Sequence, residues 1–157
     1  MLRLSKLTDY AVVVLMRLDA EGGVRNAPAL AQATGVAEPT VSKVLKLLAH
    51  AELVEGQRGA GGGYRLTRPL AAIPVSDVIV AIDGPIALTA CVDGAQGGCE
   101  AECLCQVRGQ WDKVNDAIRS ALADITLADL RPPGQGLRQC GGHAHAAAPV
   151  TTALPAE

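Results

Sequence analysis

Four cysteines, Cys91, Cys99, Cys103 and Cys105, fall in one short stretch that also holds Gly94, Gly97 and Gly98. Thiolates this close together are ligands for a soft metal ion or cluster, or partners in a redox switch. An iron–sulfur cluster needs thiolates on a loop that can wrap several iron atoms, and the spacing Cys91-x7-Cys99-x5-Cys105 has that reach. Structural zinc generally uses Cys-x2–4-Cys knuckles, and here only Cys99-x3-Cys103 has such a spacing. A thiol switch needs only two neighbouring cysteines and a lowered pKa, which the start of a following helix and Arg108 would favour. Four incidental cysteines in so polar a stretch are the weakest of the four readings. Cys140 with His143 and His145 forms a further ligand-like group, read as incidental weak metal binding in a tail.

The elements that must position this stretch are mainly helical. Thr8 is expected to cap a helix to about Asp19, with Val12, Leu15, Met16 and Leu18 as its apolar positions. A second helix is expected from Pro28 to a left-handed turn at Gly35. A third starts at Pro39, buries Val41, Val44, Leu45 and Leu48, and leaves Thr40, Ser42, Lys43 and Lys46 on other faces. This is a helix-turn-helix. Leu53–Arg58 and Tyr64–Thr67 then read as two short strands about a glycine tip, with Arg58 and Arg65 beside it and Tyr64 packing the hairpin onto the body. Pro74 opens a helix that stops at Gly84-Pro85, and a short extended segment, Ile86–Leu88, leads to the cysteines. The longest helix is expected from Gln106 to Ala123, with an apolar seam of Trp111, Val114, Ile118, Ala121 and Ile125 that needs a partner helix. Thr126–Asp129 resembles a capping sequence, and the Gly/Ala/Pro-rich 131–157 is expected to be a disordered tail.

Charge divides along the same line. Residues 1–70 hold nine Lys/Arg against six Asp/Glu, net +3, whereas residues 71–157 hold five against ten, net −5. The basic part can meet phosphates while the acidic part faces away. With no Phe, one Trp and two Tyr, the chain lacks rings on which to stack unpaired bases, which favours double-stranded DNA as the partner. Thr40 and Ser42 are placed to read base edges, and Lys43, Lys46 and Arg58 to bind phosphate or guanine. The apolar run Ala11–Met16 is too short for a signal peptide core or a membrane span, so no membrane association is expected. Five cysteines without a secretion signal fit a reducing, cytoplasmic setting. A metal-dependent enzyme is the rival class, but no His/Glu constellation accompanies the cysteines and the ordered part offers only His50. No catalytic residue and no small-molecule substrate are therefore expected.

Several runs together carry a resemblance: Leu4-Ser-Lys-Leu-Thr-Asp-Tyr-Ala11, Leu30-Ala-x-Ala-Thr-Gly35, Pro39-Thr-Val-Ser-Lys43, Arg58-Gly-Ala-Gly-Gly-Gly-Tyr64, Ile82-Asp-Gly-Pro85 and Cys99-x5-Cys105-x5-Trp111. Over residues 1 to about 130 the chain resembles the winged-helix, iron–sulfur-sensing transcriptional regulators of the family of IscR and NsrR. In detail it looks like the subgroup that regulates SUF-system iron–sulfur cluster assembly. The resemblance implies a winged helix-turn-helix DNA-binding domain at 1–70, a cluster-binding loop and dimerisation helix at 71–130, and a homodimer on operator DNA, acting as a repressor. It implies a [2Fe-2S] or [4Fe-4S] cluster held by Cys91, Cys99 and Cys105. The fourth ligand would be Asp9 from the partner subunit or Cys103. Some relatives place a histidine where this chain has Arg108, and a guanidinium does not ligate metal. Asp9 has a plain alternative role as an acid at a helix amino terminus. A nitric-oxide or thiol-redox repressor of the same fold is the alternative function.

Overall fold

The computed structural model describes residues 4–59, 61–90, 92, 106–107 and 109–131. Five α-helices lie among them: α1 (Lys6–Glu21), α2 (Ala27–Thr34), α3 (Glu38–His50), α4 (Val75–Asp83) and α5 (Gln110–Ala123). Two antiparallel strands, β1 (Val54–Gln57) and β2 (Gly63–Leu66), form the wing, paired Val54 to Leu66 through Gln57 to Gly63. The chain is thus a winged helix-turn-helix with a small β wing. No helix among the described residues is long and apolar enough to cross a membrane.

The cap of helix α1 lies three residues before the expected Thr8. Ser5 is the N-cap, and its Oγ accepts from the Thr8 amide at 3.1 Å. Either hydroxyl is a good cap, and Ser5 takes the position because Thr8 is engaged elsewhere, 1% exposed and donating to Asp83. The helix runs on to Glu21 and ends at Gly22, whose φ of 64° suits a residue without a Cβ. Helix α2 is capped by Asn26, which accepts from the Ala29 amide at 2.9 Å, and ends at Gly35 with φ 73°, as the tight turn before α3 requires. Helix α3 buries Val41, Val44, Leu45 and Leu48, the four residues its periodicity selects.

The wing is fixed to the body through β2. Tyr64 exchanges both backbone hydrogen bonds with Arg25, at 2.8 and 2.9 Å, and its ring packs on the core. A Cβ at Gly63 would lie 2.4 Å from the Arg25 carbonyl oxygen, so only glycine permits this close pairing.

One apolar core unites α1, α3 and α4, together with Leu30, Leu53, Leu70, Ile73 and Leu127. Helix α5 attaches at its far end: Val75 donates to the Ile125 carbonyl at 2.8 Å and Leu127 to that of Ile73 at 2.9 Å. Thr126 and Asp129 close the turn behind it, the carboxylate accepting from the Thr126 amide and hydroxyl at 2.8 and 2.7 Å. The expected helix from Gln106 is shorter at its start. Gly109 adopts a left-handed φ of 71° and breaks the helical path, so α5 begins at Gln110 and α1, with 16 residues against 14, is the longest helix described. Beyond Arg131, the expected disordered tail lies outside the described residues.

Asp83 ties the end of α4 to the start of α1. Its Oδ2 accepts from the Thr8 hydroxyl at 2.7 Å and from the Ser5 amide at 3.4 Å. Burial pushes this carboxyl up, but the hydrogen bonds from Thr8 and Ser5 together outweigh it and hold the pKa below the ordinary value of 3.8. A carboxylate with a lowered folded-state pKa adds stability above its unfolded pKa and loses it as pH falls through the folded one. Asp83→Asn should therefore melt lower than the wild type near about pH 7, with the gap narrowing as the pH falls below the ordinary carboxyl value of 3.8 and through the lower folded-state one. Thermal melts over a descending pH series check this, and a gap that never narrows would exclude the charge as the cause.

Candidate nucleic-acid interface and thiol-bearing segment

Helix α3 presents one continuous outer stripe. Lys43, Lys46 and His50 stand exposed along it, and the half-buried Thr40 and Ser42 flank its start. The structure thus brings the four expected α3 residues to one side of the helix, opposite Val41, Val44, Leu45 and Leu48. Arg58 is exposed where β1 ends and the wing tip begins.

The other described arginines of this half are mostly engaged with carboxylates. Arg17 and Arg25 both meet Glu21, at 2.7 and 3.0 Å; Arg65 pairs with Glu55 across the wing, and Arg68 meets Asp77 at 2.5 Å. Lys43, Lys46 and Arg58, like Lys6 at the start of α1, make no ion pair among the described residues. Much of the positive charge left unneutralised therefore lies on the α3 stripe and at the wing, although the chain as a whole is net −2.

Helix α5 and the turn after it leave apolar side chains exposed. Trp111 (42%) and Val114 (44%) in the helix and Ile125 (42%) beyond it are large apolar side chains left exposed, and Ala121 is exposed as well. Ile118, expected in the same seam, is half-buried. Asn115, one turn after Trp111, is 2% exposed, the single buried residue of the helix. Its Oδ1 accepts from the Leu88 amide and its Nδ2 donates to the Ile86 carbonyl, both at 3.1 Å. Sequence reading passed over Asn115. The available signal was a polar residue four positions after Trp111, in the row that leads to Ile118 and Leu122. Asp83 was missed as well, since its partners lie some 75 residues away.

Cys91, Cys99, Cys103 and Cys105 lie outside the described residues, as do Arg108, Cys140, His143 and His145. Among the described residues no group of three or more His, Cys, Asp or Glu side chains is placed to hold a metal ion. Asp9 is exposed on the first turn of α1, and its side chain makes no hydrogen bond or ion pair among the described residues. What the structure does place is the approach to the thiols on both sides: the segment ending at Leu88 and Val92, the latter 5% exposed, and the turn at Gln106–Val107 before α5.

Known proteins share this arrangement. The HTH-type transcriptional regulator IscR of Escherichia coli O1:K1 is 29% identical over 131 residues, covering 82% of this chain and 80% of IscR. The solved structure of T. potens IscR is 30% identical with a TM-score of 0.55, covering 82% of this chain and 85% of that one. CymR, the global cysteine regulator of B. subtilis, is 28% identical with a TM-score of 0.61 over 83% of this chain and 96% of its own. The family model Rrf2, an iron-dependent transcriptional regulator, matches residues 4–132. With the helix-turn-helix, the wing and the long match in hand, the chain belongs to the Rrf2 family of transcriptional regulators, which are not enzymes.

Proposed function

We propose that the protein is a cytoplasmic, homodimeric repressor of SUF iron–sulfur cluster assembly genes, whose operator binding is set by a cysteine-ligated iron–sulfur cluster. The observation that carries the DNA-binding part is the charge partition: Lys43, Lys46 and Arg58, cations without a carboxylate partner among the described residues, stand on the stripe and wing that a winged helix turns toward the duplex. Thr40 and Ser42 would meet base edges and the three cations the phosphates or guanine. Replacing Lys43 or Lys46 by Ala should weaken operator binding and flatten the slope of log K against log salt by about 0.9 for each phosphate no longer neutralised. Arg58→Ala should weaken binding too. Titrations at several salt concentrations measure this, and unchanged slopes would remove this surface from the interface.

The donor set fits the group that the family's iron dependence implies. Four thiols in one short stretch suit iron bound with sulfide, whereas hard-cation sites are built from oxygen donors. Cys91, Cys99 and Cys105 would hold the cluster, [2Fe-2S] or [4Fe-4S], with Asp9 of the partner subunit or Cys103 completing it. The exposed carboxylate of Asp9, without a partner of its own among the described residues, supports the first choice. A bound cluster would supply a charge and redox state that oxygen, nitric oxide or iron supply can alter. In the variant series, Cys91→Ala, Cys99→Ala and Cys105→Ala should each abolish visible absorbance. Cys103→Ala should retain it, and Asp9→Ala should give a labile cluster; with Cys103 as fourth ligand the last two results exchange. Anaerobic iron and sulfide analysis with the spectrum decides, and stoichiometric zinc without sulfide would overturn the cluster.

A second reading, a thiol- or nitric-oxide-responsive repressor of the same fold, draws support from the likeness to CymR, named as a cysteine regulator. A colourless anaerobic protein that binds DNA would favour it.

The apolar face of α5 supports the homodimer, with the helices of two copies crossing through Trp111, Val114, Ile118, Ala121 and Ile125. A two-fold contact sets the same stripe against itself, so one substitution acts twice. Val114 is the clean probe because it is exposed in the single chain, whereas Ile118 is half-buried. Val114→Asp should leave the fold intact and shift sedimentation to monomer, with loss of operator affinity; a soluble dimer would show that another surface joins the copies.

A further inference from the structure

Asn115 is buried, yet its carboxamide meets backbone at both ends. The amide of Leu88 donates to it and the carbonyl of Ile86 accepts from it, so it satisfies the two groups that a neighbouring strand would otherwise satisfy. The gripped segment stands between the end of α4 and Cys91, three residues beyond Leu88. Helix α5 itself begins five residues after Cys105. The carboxamide of Asn115 therefore joins the two arms of chain that enter and leave the cysteine-rich stretch. That side chain stands one helical turn after the exposed Trp111 and next to the exposed Val114.

We propose that Asn115 is a positioning residue that makes the Ile86–Leu88 segment and α5 move as one unit, so that occupancy of the thiols is transmitted to α5 and so to operator affinity. This rests on the reading that the thiols bind a cluster. The physical basis is that two hydrogen bonds from one planar amide fix both the register and the separation of segment and helix, where an apolar contact would allow sliding. Coupling between two sites needs such an element whose placement both can bias.

The test uses the full chain, prepared anaerobically with and without loading by ferrous iron and sulfide, and reads amide hydrogen exchange alongside operator affinity. In the wild type, loading should change exchange across residues 111–125. Asn115→Leu should still take up iron, should raise exchange at the Leu88 amide by about tenfold, and should lose the response of α5 to loading. Its ratio of loaded to unloaded operator affinity should fall toward one. Leu88→Pro deletes the amide donor without touching α5 and should act alike, so it carries the test if Asn115→Leu does not fold. The double variant should be no worse than either single one, because both remove the same link. If the wild type takes up no iron and sulfide, the cluster reading fails, and the same comparison is made with the thiols alkylated by N-ethylmaleimide. A variant whose α5 responds to thiol occupancy as the wild type does overturns the inference in either arm.

Discussion

Helix α1 packs against both α3 and α4, and the exposed basic stripe of α3 and the approach to the thiols are both built on that contact. Ala11, Val14, Leu15 and Leu18 fill the space between the two helices, all of them at 0–1% exposure. A chain of this length has apolar residues for one core and not for two. Helix α3 therefore lies against one side of α1, and α4, which leads toward the cysteines, lies against another. Asp83 adds a directional link, because its carboxylate sits at the positive end of α1 and takes the Thr8 hydroxyl. A shift of α4 along α1 would break that hydrogen bond before it exposed much apolar surface.

What was legible in the sequence follows the range of the interactions involved. Helices α2 and α3, the turn at Gly35 and the two strands depend on contacts a few residues apart, and periodicity with turn chemistry places them to within a residue or two. The start of α1 was misplaced because Ser5 and Thr8 are both competent caps, and the choice is made by Asp83, far along the chain. The start of α5 was placed too early because Gly109 interrupts a stretch whose apolar pattern, Val107 then Trp111, continues through it. Asn115 escaped for the same reason as Asp83. A polar residue reads as surface unless its partner is known, and here the partners are backbone groups nearly thirty residues away. Lys43, Lys46 and Arg58 were legible as candidate phosphate contacts from charge alone, and the structure leaves all three exposed, since Coulomb attraction to phosphate needs exposure more than a set geometry. The thiols were legible as chemistry and not as geometry, because ligand spacing in sequence does not fix where each sulfur sits.

The net negative charge is no obstacle to binding DNA once the ion pairs are located. Glu21 alone meets two arginines, and Glu55 and Asp77 meet one each, so four cations of the basic half have carboxylates close by. Arg65 with Glu55 is an exposed pair on the wing, of a kind that contributes at most about 1 kcal/mol. A phosphate approaching the wing competes with Glu55 for that guanidinium at small cost. Under the proposed reading, the charge offered to DNA is of two sorts: cations without an ion pair among the described residues, and one that an exposed carboxylate holds loosely.

Among the described residues, helix α5 is tied to its own body by the backbone links at Ile125 and Leu127 just beyond it, the packing of Leu122, and the carboxamide of Asn115. A buried amide stripped of its partners costs about 1–3 kcal/mol, so Asn115 stabilises one placement of the helix and penalises its neighbours. Trp111, Val114 and Ala121 stand exposed on the same helix, whereas Asn115 holds the Ile86–Leu88 segment by two directional hydrogen bonds. In the proposed coupling, a perturbation entering the chain after Leu88 would act on the helix through that grip. Because the exposed side chains need no unpacking, the helix would then move as a unit.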